Sequence, residues 1–205
     1  MKARPIIERQ AFDHLLMIKA HMLSLDRGLK AIRKGRTPLT LAKMRQCYLD
    51  RRMIIEELML LSVSAHSDAG HALERDLRSG FNAKRKMKRL EVHNPEFFPR
   101  AIDLIPGDED GIAACFVEVT DETLSRQLAE DFYTHGDNYL HAMWKGMDRT
   151  QYGAAVEDLS LFFRLTERLM RTFEVDISGK RYMMIGHLNL HSTENPELFK
   201  AAMEP

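Results

Sequence analysis

Apolar residues recur at three- and four-residue intervals from the start of the chain. Phe12, Leu15, Leu16, Met22, Leu23, Leu29 and Ile32 predict one long amphipathic helix from about Ile7 to Lys34, stopped by Gly35. In "TPLTLAKMRQCYLDRRMIIEELMLL", Thr37 is placed to cap a second helix and Pro38 to open it, with Leu41, Met44, Tyr48, Ile55, Leu58 and Met59 apolar. This helix is expected to run back antiparallel to the first. A third helical segment is expected from about residue 69 to "HNP" at 93–95, where the residue before proline leaves the helical region. Residues 94–111, "NPEFFPRAIDLIPGDEDG", combine three prolines, two glycines and an acidic run, and read as a linker.

The pattern changes period at Cys115. There Cys115, Val117 and Val119 alternate with Phe116 and Glu118, which predicts a short strand. Thr120 is expected to cap a helix with Asp121 and Glu122 in its first turn and Leu124, Leu128 and Phe132 on one face. Gly136 is expected to end that helix and Asp137 or Asn138 to cap the next, with Tyr139, Leu140, Met143, Trp144 and Met147 as its apolar side. A further helix at about 150–174 shows a wide apolar face of Val156, Leu159, Phe162, Phe163, Leu169 and Phe173. "EVDISGKRYMMIGHLNL" reads as a hairpin about Ser178-Gly179, and Asn195-Pro196 as the opening of a short terminal helix. The expected fold is mainly α. It comprises a basic helical region (1–93), the linker (94–111), a strand-helix-helix segment with its following helix (112–174), and a hairpin with a terminal helix (175–205).

Charge divides the chain. The formal net charge of zero averages residues 1–100, with 21 Lys+Arg against 11 Asp+Glu, and residues 101–205, with 9 against 19. The densest cationic stretch is "NAKRKMKR", residues 82–89, with Lys84, Arg85, Lys86, Lys88 and Arg89. At about 100° per residue, Arg75, Arg78, Arg85, Lys86 and Arg89 fall in one arc, with Leu73, Leu77, Met87 and Leu90 opposite. A helix C-terminus attracts cations, but five without a carboxylate among them repel one another, and a polyanion such as double-stranded DNA would relieve that repulsion.

Strand, capped helix, glycine turn and second helix in about 35 residues resemble the ribbon-helix-helix DNA-binding unit. The resemblance implies a homodimer whose strands pair into a ribbon presenting Ala114, Phe116 and Glu118, with Gly136, Asp137 and Asn138 holding a backbone phosphate. Glu118 departs from the Arg, Lys, Gln or Asn usual on such a strand, because a carboxylate meets the groove potential unfavourably. As a whole the chain is similar to the AcaB-like transcriptional regulators of conjugative plasmids and integrating elements. The stretches that carry this are "LDRGLKAIRKGRTPLTL" and "HNPEFFPRAIDLIP". It implies DNA binding at transfer-gene promoters, with DNA contacts through the basic cluster.

Other classes are weighed against this reading. No apolar run reaches the 18 or so residues that span a bilayer, and the start "MKARPIIERQAFDH" does not read as a secretory signal, so a cytoplasmic location is expected. Cys47 and Cys115 form no CxxC pair and read as small buried apolar residues. Walker, GxGxxG and GxSxG patterns are absent, and the expectation is a non-enzyme without cofactor. Nine histidines keep a metal-binding helical bundle as an alternative, with His14 and His21 seven apart, His66 and His71 five apart, and His187, His191 and Glu194 near one another. Against it, no Glu is followed by His three residues on, as di-iron bundles require, and HExxH is missing. A helical adaptor for an acidic protein is the third reading.

Overall fold

A computed structural model describes residues 6–66, 83–106, 114–145, 147–177 and 182–202. Helix α1, Ile6–Ile32, buries Ala11, Leu15, Ile18, Met22, Leu25, Leu29 and Ile32. These positions alternate intervals of four and three, the heptad seam of a helix that meets a long antiparallel partner. Gly35 makes the turn at φ +120°, a backbone region that side chains disfavour. Thr37 then caps α2, Pro38–Ala65, in a reciprocal box: its hydroxyl accepts from the Thr40 amide at 3.1 Å, and the Thr40 hydroxyl accepts from the Thr37 amide at 2.7 Å.

The α1–α2 seam carries polar rungs with heptad spacing on both helices. His14 hydrogen-bonds Glu57 at 2.7 Å, and seven residues on, His21 hydrogen-bonds Asp50 at 3.0 Å. Asp50 also accepts from Ser24 and Gln46. The seven-residue histidine spacing noted in the sequence is therefore matched by carboxylates seven apart on the facing helix. Next to this rung Cys47 fills the space left by Gly28, whose Cβ would lie 2.3 Å from the sulfur. Burial, with the charge of Asp50, pushes the Cys47 thiol up to about 12.

The second half of α2, from Asp50 to Ala65, has no exposed residue, because α3 (Ala83–His93), α4 (Arg126–Lys145) and α5 (Arg149–Arg171) also pack on the helix. At their meeting point lies Arg51, 1% exposed. Its Nη1 donates to Asp158 of α5 at 2.5 Å, and its guanidinium lies 4.5 Å from the Tyr48 ring centre and 5.3 Å from that of Phe132. Tyr139 stacks on the other ring of this group, Tyr48, at 5.1 Å. Gly136 of α4 is the floor: a Cβ there would lie 2.8 Å from Arg51 Nη2.

After α3 the chain forms a five-stranded antiparallel sheet in the order β2-β1-β3-β4-β5. Its strands are β1 Arg100–Pro106, β2 Ala114–Glu118, β3 Phe173–Ile177, β4 Tyr182–His187 and β5 Glu197–Ala202. Helix α5 covers β1 and β4, enclosing Ala101, Phe173, Val175, Met184 and Leu188. No described helix is long and apolar enough to cross a membrane.

The mainly helical expectation holds, and β3 pairs with β4 as an antiparallel hairpin whose turn at 178–181 lies outside the described residues. Four details differ. The expected linker contains β1, because its prolines stand before and at the end of "RAIDLIP" and leave the strand interior free to pair. The helix expected from Thr120 starts at Arg126, where the Ser125 hydroxyl accepts from the Leu128 amide at 3.3 Å. Gly136, Asp137 and Asn138 make no turn, since α4 runs through them unbroken. The terminal helix expected after Pro196 is strand β5, paired along β4.

In an ordinary helix interior Gly→Ala stabilises by up to about 1 kcal/mol. Gly136→Ala should have the opposite sign, costing about 1–2 kcal/mol, because the methyl group must displace a caged guanidinium. Urea denaturation of the two proteins measures this.

Candidate nucleic-acid interface

All five cations of the 84–89 cluster lie on α3. Met87 and Leu90 turn into the core, which leaves Lys88 exposed and Arg89 half-buried. The extension of the basic stripe through Arg75 and Arg78 lies outside the described residues. The far end of α3 is fixed: Glu91 pairs with Arg126 of α4 at 2.8 Å, and the Asn94 amide donates to His66 Nε2 at 2.6 Å and to the Asp176 carbonyl at 3.3 Å.

A second basic surface lies at the turn between α1 and α2. Residues 27–49 hold Arg27, Lys30, Arg33, Lys34, Arg36, Lys43 and Arg45 and no carboxylate, and all seven side chains are exposed. Lys30 pairs with Asp26 at 2.5 Å and Arg33 donates to the Ser160 hydroxyl at 3.0 Å. Lys34, Arg36 and Lys43 have no side-chain partner among the described residues. The positive end of the α2 dipole adds to this field, with no acidic residue in the first turn to offset it. The turn itself is rigid, because the buried Tyr152 hydroxyl of α5 donates to the Ile32 and Gly35 carbonyls at 2.6 and 3.1 Å. The run of cations without carboxylates was readable in the sequence, but its exposure depended on knowing which helix face was buried. Asn94, just past α3, is hydrogen-bonded to His66 at the far end of α2, about 40 Å of helix axis from this turn.

The positions assigned to a phosphate-binding turn do not form one. Gly136 is buried under Arg51, and Asp137 and Asn138 are interior helix positions whose amides belong to the helical ladder. Phe116 and Glu118 are both exposed on β2. Their strand pairs with β1 of the same chain, Leu104 opposite Phe116 and Ile102 opposite Glu118, and its outer edge is unpaired among the described residues. The β1–β2 arm is apolar on both faces, with Leu104 62%, Phe116 50% and Val117 43% exposed. Towards α5 a side-chain ion pair holds it. Arg168 of α5 grips Asp103 through both carboxylate oxygens, at 2.8 and 3.3 Å, and these hydrogen bonds hold the Asp103 carboxyl below the usual range.

The described histidines of the metal alternative have protein partners, and His71 lies outside the described residues. Besides the two rungs, His66 Nδ1 donates to the Ser62 carbonyl at 2.6 Å and His191 contacts Glu167. Among the described residues no three His, Cys, Asp or Glu side chains converge as a metal site. Nothing matches the chain in comparisons with protein-family models, curated proteins and solved structures.

Proposed function

We propose that the chain is a DNA-binding regulator that holds the duplex backbone through the α1–α2 turn and α3. The observation that supports this most is the turn: seven exposed cations in residues 27–45, a stretch that holds no carboxylate of its own, although Asp26 at its border pairs with Lys30. Such a surface releases counterions from a polyphosphate and gains affinity without reading bases. The stretch "LDRGLKAIRKGRTPLTL", which carries the resemblance to AcaB-like regulators of conjugative elements, includes five of these cations. Control of transfer genes on a mobile element is the corresponding biological role.

In this reading β2 serves assembly rather than base recognition. An edge that is unpaired among the described residues and carries exposed Phe116 and Val117 invites a second strand, and pairing with the same edge of another copy about a two-fold axis joins the two sheets into one. Glu118 then faces the partner chain or solvent instead of a groove.

Two measurements test the proposal. Replacing Lys34, Arg36 and Lys43 by Ala should lower the magnitude of the log K against log salt slope by about 2.7, at roughly 0.9 per phosphate contact. The Lys84, Lys86 and Lys88 triple should do the same, and neither should alter preference among DNA sequences. Unchanged slopes in both, or a wild-type protein with no salt-dependent DNA binding, would leave the adaptor reading. Light scattering should give a dimer at micromolar concentration, and Phe116→Asp with Val117→Asp should give a folded monomer. A wild-type monomer contradicts the edge pairing.

A further inference from the structure

A cavity of about 500 Å³ opens beside the C-terminal half of α5, lined by Glu122, Arg164, Glu167, Arg168, Arg171, Leu188, Asn189 and His191 among others. That volume suits a small organic molecule. None of its lining residues belongs to the cations of the turn or of α3, although Arg164 also borders a neighbouring groove that holds Arg33.

Its charges are unevenly committed. Arg168 is held by Asp103, and Glu167 contacts His191. Arg164 and Arg171 have no side-chain hydrogen bond or ion pair among the described residues, and neither does Glu122. Arg164 and Arg171, seven residues apart on the same helix face, line the cleft together with Glu122, and the charge of Arg171 also acts on Asp103.

The walls are also held in place. Among the described residues only Glu122 and Asn189 combine a side chain with positive φ, at 55° and 51°, and both line this cavity. Such conformations concentrate where a surrounding structure enforces them for function. For Asn189 the enforcing group is Lys19, a buried ammonium that donates to the carbonyls of Asn189, Ser192 and Glu194 at 2.5, 3.0 and 2.6 Å. The Leu188 amide donates to the Met170 carbonyl at 3.1 Å and fixes the loop to the end of α5. Asn189 and His191 are thereby set before any ligand arrives.

We propose that this cleft binds a small phosphorylated metabolite, with its phosphate at Arg164 and Arg171 and a hydroxyl or amino group donating to Glu122. Arginine suits this task because its planar donors meet phosphate oxygens in pairs. A bare anion satisfies only the arginines, whereas a nucleotide or sugar phosphate satisfies the carboxylate as well.

Thermal melting with AMP, GMP, ribose 5-phosphate or inorganic phosphate at equal ionic strength tests this. At least one organic phosphate at millimolar concentration should raise Tm by about 2–4 °C, and more than inorganic phosphate does. Arg164→Ala with Arg171→Ala should abolish the shift, and both residues are exposed, so the variant should fold. Glu122→Gln should weaken binding of the organic phosphates and leave that of inorganic phosphate unchanged. The Lys34, Arg36 and Lys43 triple should keep the full shift. No shift with any of the four, or a shift that survives the arginine pair and vanishes in the triple, overturns the proposal.

Discussion

Placing the Arg51 guanidinium in the protein interior constrains everything packed around it. A buried charge left unpaired costs several kcal/mol, so Arg51 on α2 demands a carboxylate, and Asp158 on α5 supplies it. Tyr48 and Phe132 present ring faces to the cation, and the Tyr48 hydroxyl adds a hydrogen bond to Asp158 at 3.2 Å. Burial and the nearby Asp158 charge push the Tyr48 phenol well above its ordinary range, so it remains a neutral donor. The remaining side of the guanidinium is closed by α4, which can approach only because residue 136 lacks a side chain. Three helices are thereby fixed in mutual register by one side chain.

That register connects the two ends of the molecule through α5. Its first turns brace the α1–α2 turn through Tyr152, and its last turns supply the arginines of the cleft and the tie to the β1–β2 arm. Exposed cations lie at the α1–α2 turn and, with Lys88, on α3, while the β1–β2 arm presents apolar residues.

The helical hairpin was legible because its signals are local. A heptad seam, a capping box at Thr37 and a glycine in the left-handed region each act within a few residues. Gly136 misled for a physical reason: a glycine in a helical pattern ordinarily marks an end, and here it marks the approach of a side chain 85 positions earlier. The β1 strand was hidden by the prolines that bound it, and β5 by an Asn-Pro that resembles a helix start. Of the DNA-facing candidates, the α3 cluster stood out as a dense run. The cations of the α1–α2 turn are spread over 19 positions from Arg27 to Arg45, and only their common exposure in the fold makes them a surface. The cleft was not legible at all, since it joins residues 122, 164–171 and 188–191.

The dependence of the fold on Arg51 is tested most directly by a double-mutant cycle with Asp158, read by urea denaturation. Asp158→Leu alone should cost about 3 kcal/mol, because it strands the buried guanidinium. Arg51→Met with Asp158→Leu should recover much of that loss, giving a coupling of about 2 kcal/mol or more. Additive single and double variants, with coupling within about 0.5 kcal/mol of zero, would show that the helices hold their register without this pair and would contradict the account.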